Sequence, residues 1–204
     1  MPSERQDLSE EGRRSLSEFD VVFICTGNIF RSAIAEAVFR ARTRGAPVHV
    51  SSAGTLDLAS APAHRAARAL GPSLAIDLSA HRSRCVTAVD LTGADLVVGF
   101  ERAHVAAAVV EAGAERARTF TLPELVELLG SVGGFSAVDG VERARELVRR
   151  AAALRDPTAR FPQIVDPIGG PRSVFASTGR LVADQAGRLA ETLFPAVAAS
   201  SAAG

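Results

Sequence analysis

Phe19-Asp20-Val21-Val22-Phe23-Ile24-Cys25-Thr26-Gly27-Asn28-Ile29-Phe30-Arg31-Ser32 is the stretch from which the fold can be read. Its first six residues form a short apolar run rich in β-branched side chains, which suits a strand buried on both faces. Residues 26–30 contain a Gly-Asn pair and read as a tight loop. From Ser32 onward, Ile34, Ala35, Ala37, Val38 and Ala41 recur at helical spacing until Gly45 and Pro47 stop them. A strand, a tight loop and a helix in immediate succession are the opening of an α/β unit.

Outward from this segment the same alternation continues. Residues 49–53 read as a second strand ended by Gly54, and residues 62–70 as a helix opened by Pro62 and closed by Gly71. Residues 95–100 form a third strand, followed by an Ala- and Val-rich helix to Glu111. Residues 116–120 suit a fourth strand, 123–129 a short helix, 141–154 a charged helix and 174–193 a long closing helix, with a Pro- and Gly-rich loop at 161–171. This order predicts an α/β fold: an open, parallel, four-stranded sheet with helices on both faces. Residues 1–18 read as a flexible N-terminal arm and 196–204 as a flexible tail. Between them, 19–195 form one domain with a helical insertion at about 130–160, read as a solvated amphipathic helix.

Composition narrows the function. The 204 residues carry 23 acidic and 23 basic side chains, every basic one an arginine. This balance supplies no electrostatic reason to expect nucleic acid or an anionic membrane as partner. No stretch approaches the roughly 18 to 20 apolar residues of a membrane span, and the polar start is unlike a secretory signal. With two cysteines, Cys25 and Cys85, the expectation is reduced thiols in a cytoplasmic protein. No His/Cys cluster has metal-ligand spacing, and the sequence calls for no cofactor.

In an open parallel sheet, ligands bind at the carboxyl ends of the strands, which is where Cys25 falls. A loop wrapped before a helix N-terminus points successive backbone N–H groups inward as an anion nest. Gly27 and Asn28 supply the unusual backbone angles such a loop needs. Arg31 offers planar, paired donors to phosphate oxygens. A cysteine at the base of this nest is expected as a thiolate facing a bound phosphorus atom. Cys–Arg spacing is weak by itself. A lone Cys is ordinarily a small buried hydrophobe, and a nest can hold an anion without chemistry, so the loop leaves both readings open.

Further segments decide between them. Residues 22–36, Ser51-Ser52-Ala53-Gly54-Thr55, His81-Arg82-Ser83-Arg84, Ala94-Asp95-Leu96-Val97-Val98 and Asp166-Pro167-Ile168-Gly169-Gly170 together resemble the low-molecular-weight protein tyrosine phosphatase family, in the family's order. The resemblance implies a phosphatase acting on a phosphorylated protein or small phosphate ester, most directly phosphotyrosine, through a phosphocysteine on Cys25. Arg31 and the loop from Thr26 through Gly27, Asn28, Ile29 and Phe30 would hold the phosphoryl oxygens. Ser32 would donate to the thiolate, and Asn28, Ser52 and His81 would brace the loop. Without the family, His81 reads as a solvated surface histidine and Cys85 as a packed core thiol.

Asp166 matches the family's general acid. Chemistry supports that match independently, because the leaving oxygen needs a proton and the intermediate needs a base. Asp156-Pro157 is the rival pair. It follows a charged helix with no glycine after it, whereas Asp166 precedes the hinge-capable Gly169-Gly170-Pro171.

The sequence also departs from the family. Phe30 stands where members often carry a second cysteine able to protect the nucleophile by a disulfide, so Cys25 is expected to oxidise further. Ala33 replaces the usual proline. Leu56, Asp57, Leu58 and Ile168 occupy regions where aromatic pocket walls are usual, and the chain has no Trp or Tyr. Phe30 or the aliphatic side chains would then pack on the substrate ring. Thiol-dependent arsenate reductases share the fold but need additional thiols; the segment after the third strand has none, leaving only Cys85 and an external thiol. A phosphate-binding regulatory module without turnover is the remaining alternative.

Overall fold

The first strand, β1 (Phe19–Cys25), divides its side chains between two cores. Phe19, Val21, Phe23 and Cys25 face one cluster, whereas Val22 and Ile24 face the other. That period of two is what a central parallel strand covered on both faces requires. In the computed structural model, which describes residues 18–133 and 140–195, β1 is followed by α1 (Arg31–Arg42), β2 (Val48–Gly54), α2 (Arg65–Leu74), β3 (Leu96–Gly99), α3 (Arg102–Glu111), β4 (Thr119–Thr121), α4 (Leu122–Ser131), α5 (Gly140–Ala153) and α6 (Arg172–Leu193). The residues read as arm and tail lie, apart from Glu18, outside the described residues, as does part of the loop before α5.

The four strands are all parallel, in the order β2-β1-β3-β4. The chain leaves β1 toward β2 on one side and returns to β3 on the other, so strand order switches between β1 and β3. The crevice above their carboxyl ends is where such sheets bind ligands. Cys25 stands at that end, beside Gly54 of β2. A Cβ on Gly54 would lie 2.8 Å from the Thr26 carbonyl oxygen and 2.9 Å from the Asn28 nitrogen. The loop after β1 therefore rests directly on the β2 backbone, an approach only glycine permits. At the open edge of β2, Arg40 donates to the Val50 carbonyl at 2.8 Å and Arg84 to the Ser52 carbonyl at 3.0 Å.

The larger core lies between the sheet and α1, α2, α4, α5 and α6, while α3 and residues 86–94 cover the opposite face. The amphipathic α5 buries Val141, Ala144, Leu147, Val148 and Ala151, and its outer face carries Glu142, Glu146, Arg149 and Arg150 in ion pairs. Arg145 turns inward to Asp95 at the start of β3, whose carboxylate also accepts from the Asp20 N–H. Beyond α5, Arg155 lies 3.7 Å over the Phe120 ring and donates to Glu124 at 2.9 Å. These contacts return the chain across β4 toward the strand ends.

Two local expectations shift. The helix expected over 62–70 runs instead over Arg65–Leu74, capped by the His64 ring, which accepts from the Ala66 N–H. Gly71 does not stop it. Helix α2 closes when Ile76 N–H bonds back to the Gly71 carbonyl, and a Cβ on Gly71 would lie 2.8 Å from the Ile76 oxygen. Gly71 is thus the residue that lets the chain fold tightly over the helix end. The fourth strand is shorter than expected, because residues 116–118 form a 3-10 turn before Thr119.

If α5 is an integral part of the core, Leu147→Ala should destabilise the protein by about 2–5 kcal/mol, the usual result of truncating a buried leucine. Urea denaturation would show this as a lowered midpoint with an unchanged slope.

Candidate active site

The nucleophile candidate sits at the floor of the loop. Cys25 is buried, with its Sγ accepting from the Asn28 N–H at 3.2 Å and 3.1 Å from Ser32 Oγ. Asn28 has a left-handed backbone, φ 51°. Gly27 does not, so the expectation that both residues supply unusual angles holds for Asn28 alone. Gly27 supplies space instead, since a Cβ there would press on Leu58 Cδ1 at 3.0 Å.

Counting hydrogens fixes the direction of the bonds around Cys25. The Asn28 side-chain oxygen accepts from the Arg84 N–H at 2.9 Å, which orients the amide. Its two N–H donors then reach Ser52 Oγ at 2.7 Å and Ser32 Oγ at 2.9 Å. Ser52 donates its own hydrogen to Glu36. Ser32, already an acceptor from Asn28, has its hydrogen free for the Cys25 sulfur. His81 Nε2 meets the Asn28 carbonyl at 2.7 Å and completes the brace. Asn28, Ser32, Ser52 and His81 are therefore brought together around the loop, and Glu36 and Arg84 join them.

Arg31 begins α1 and is 1% exposed. One guanidinium nitrogen donates to Glu101 and to the Ile164 carbonyl, the latter at 2.8 Å. The other donates to Thr26 Oγ1 at 3.0 Å and Asp166 Oδ2 at 2.6 Å. Ile164 is itself held by its N–H to the Phe100 carbonyl at 2.9 Å, and Gln163 accepts from the Arg102 N–H. The segment is thus pinned to the end of β3, and Asp166 two residues later reaches Arg31. Asp156 instead turns back on Thr158 at the surface.

His104, 3% exposed, faces the same guanidinium from α3. Its pKa is lowered from 6.5 to about 4, first by burial and then by Arg31, against the opposing pull of Glu101 and Asp166. Its Nδ1 accepts from the Phe100 and Glu101 N–H groups at 3.2 and 3.1 Å, and its Nε2 lies 3.1 Å from Thr26 Oγ1. Glu101 and His104 were not legible in the sequence as site residues. The only signal was an acid and a histidine three residues apart directly after a strand.

Two further expectations change. Phe30 is 2% exposed and packs edge-on against Phe175 at 5.2 Å and His64 at 6.3 Å, so its ring faces the core and not the mouth of the loop. The apolar surface beside the site is aliphatic: Leu56 is 54% and Ile168 49% exposed. Cys85 is half-buried with its sulfur 3.1 Å from Thr87 Oγ1, because its irregular segment meets β2 through a single bridge to Gly54 and stays near the surface.

The loop that follows Cys25 at the β1/β3 switch coincides with a sequence match. Residues 20–131 match the family model described as low molecular weight phosphotyrosine protein phosphatase. The chain belongs to this family. Etp of Escherichia coli K12, a low molecular weight protein-tyrosine-phosphatase, is 33% identical over 107 residues, covering 52% of this chain and 71% of Etp. The protein-arginine-phosphatase of Bacillus subtilis is 32% identical over 146 residues, covering 65% of this chain and 94% of that protein. Among solved structures, the low molecular weight protein tyrosine phosphatase of T. tengcongensis superposes with a TM-score of 0.62 and 26% identity, over 85% of this chain and 99% of that one. The family match ends before Asp166, which the fold brings to Arg31 in an ion pair.

Asn28→Ala removes two donors and one acceptor from a buried network and places alanine at positive φ. It should destabilise the protein by about 1–3 kcal/mol, with a parallel loss of vanadate affinity in calorimetry. Stability should also respond to acid through His104. The unfolded chain binds this proton near pH 6.5 and the folded one near 4. Between those values the unfolded state holds more protons, so stability falls as pH drops through the window and is flat above it. His104→Gln should flatten this dependence in denaturant titrations at pH 7 and pH 5.

Proposed function

We propose that this phosphatase hydrolyses phosphate monoesters of proteins, phosphotyrosine first among them, by way of a phosphocysteine on Cys25. The reading is carried by the convergence of Cys25, Ser32, Arg31 and Asp166 on one loop, although Asp166 lies 135 residues from Arg31. The phosphoryl group enters the nest of N–H groups at the start of α1, with the Arg31 fork on its oxygens. The Cys25 sulfur attacks phosphorus in line with the leaving oxygen, so that an S–P bond forms as the P–O bond breaks.

Asp166, once displaced from Arg31 and having taken up a proton from solvent or from the phosphate ester, gives that proton to the departing oxygen. It then takes one from the water that attacks the phosphocysteine, releasing phosphate and restoring the thiolate. The Asp166 carboxylate occupies the Arg31 nitrogen that phosphate would need. An arriving phosphate competes for that donor and turns Asp166 loose toward the leaving group, while Glu101 keeps hold of the other nitrogen. No second cysteine stands in the loop to shield Cys25 by a disulfide, which suits work in the reducing cytoplasm.

A second reading concerns the leaving group alone. The aliphatic surface of Leu56 and Ile168 offers no ring for stacking, and one similar protein is a protein-arginine-phosphatase. Phosphoarginine is therefore the rival substrate.

Reduced protein should hydrolyse p-nitrophenyl phosphate and be blocked by vanadate. Cys25→Ser should abolish turnover, and Asp166→Asn should lower kcat by about 10²–10⁴-fold, the usual contribution of a positioned acid. Peptides carrying phosphotyrosine should give the higher kcat/KM in side-by-side assays. A preference for phosphoarginine peptides would reassign the substrate, and vanadate binding without any turnover would leave an anion-binding module.

A further inference from the structure

Thr26 Oγ1 is a crossing point of two buried contacts. It accepts from Arg31 at 3.0 Å and lies 3.1 Å from His104 Nε2. The proton on the imidazole can be placed. Because Nδ1 accepts from two backbone N–H groups, Phe100 and Glu101, it carries no hydrogen. Neutral His104 then bears its hydrogen on Nε2, which donates to Thr26. Arg31 is a donor always. Both lone pairs of the threonine oxygen are consequently used, and its own hydrogen has no acceptor among the described residues.

The fold makes room for this arrangement. A Cβ on Gly99 would stand 2.9 Å from the His104 Cβ, so the strand end gives up a side chain where the imidazole enters. The tetrahedral geometry of the hydroxyl leaves one direction open once Cβ, Arg31 and His104 are placed. Thr26 directly follows Cys25, and Arg31 beside it is the phosphate-gripping group.

We infer that His104 is a positioning residue that acts through Thr26, holding the threonine hydroxyl as an additional hydrogen-bond donor to the phosphoryl group and steadying Arg31 at its working angle. This rests on the phosphatase reading above. The neutral state follows from burial and from Arg31, both of which depress the imidazole's affinity for a proton. A charged imidazole would donate from both nitrogens and break the two backbone contacts. The Nε2 hydrogen of this tautomer points to the threonine oxygen at 3.1 Å, with Glu101 Oε1 farther away at 3.9 Å.

A double-mutant cycle with orthovanadate as the probe tests the inference, using calorimetric affinity together with kcat/KM for p-nitrophenyl phosphate. Thr26→Val keeps the shape and removes the hydroxyl, and it should weaken vanadate binding about 10- to 100-fold, as expected for a lost bond to a charged group. Thr26→Ser should stay within about threefold of wild type. His104→Phe should match Thr26→Val, and the double variant should be no worse than either, because the histidine acts only through the threonine. Thr26→Val binding as tightly as wild type would overturn the inference, as would losses that multiply in the double variant.

If His104→Phe does not fold, the imidazole of the intact protein serves instead. Its Nε2–H proton signal in NMR should move when vanadate binds wild type and stay still in Thr26→Val. A signal indifferent to vanadate in wild type sinks the idea. An inactive wild type would defeat the phosphatase reading separately, while vanadate affinities would still decide the role of the pair.

Discussion

A guanidinium almost wholly removed from water has to be surrounded by acceptors, and Arg31 organises this molecule by that requirement. Stripping an ion of water costs several kcal/mol unless geometry compensates. Here the compensation comes from four directions: Glu101 at the head of α3, the Ile164 carbonyl, the Thr26 hydroxyl and the Asp166 carboxylate. Two of these are anionic, so the carboxylates around Arg31 outnumber its single positive charge. The two carboxylates come from different settings: Glu101 stands at the junction of strand and helix, whereas Asp166 lies on a loop ahead of α6, and their side chains are 29% and 33% exposed.

The outer parts of the structure serve that centre. Arg155 stacks on Phe120 and binds Glu124, and Gln163 and Ile164 fasten to the end of β3. Together they turn the long segment after α5 back over the sheet until Asp166 arrives. On the other side, Asn28 draws Ser52, Arg84 and His81 around the loop. A loop of five residues, 26–30, is thus set from both directions by partners far away in the chain.

How much of this was legible follows from the range of each interaction. The strand, loop and first helix could be read because their pattern is local: a β-branched run, a Gly-Asn pair, then apolar residues at helical spacing. Cys25, Arg31 and Ser32 came with that pattern. Asn28, Ser52, His81 and Asp166 needed family resemblance, since nothing local distinguishes His81 from a surface histidine or Asp166 from Asp156. Glu101 and His104 escaped altogether, because their meaning arises only where residues 70 and 78 positions apart meet. The misplaced end of α2 has the opposite cause: Gly71 looks like a stop in sequence but serves the backbone folding over it. Phe30 and Cys85 were misjudged on exposure, which depends on which way an irregular segment turns.

The two arginines at the rim of β2 carry a further consequence. An edge strand normally presents a row of unpaired carbonyls, on which a strand from another molecule can add itself. With Arg40 on the Val50 carbonyl and Arg84 on the Ser52 carbonyl, that row is occupied by side chains that are charged and bulky. The sheet can grow no further on this side without displacing both. One of these guards, Arg84, also orients Asn28 through its backbone N–H, so the residue that covers the edge of the sheet braces the loop after β1 as well.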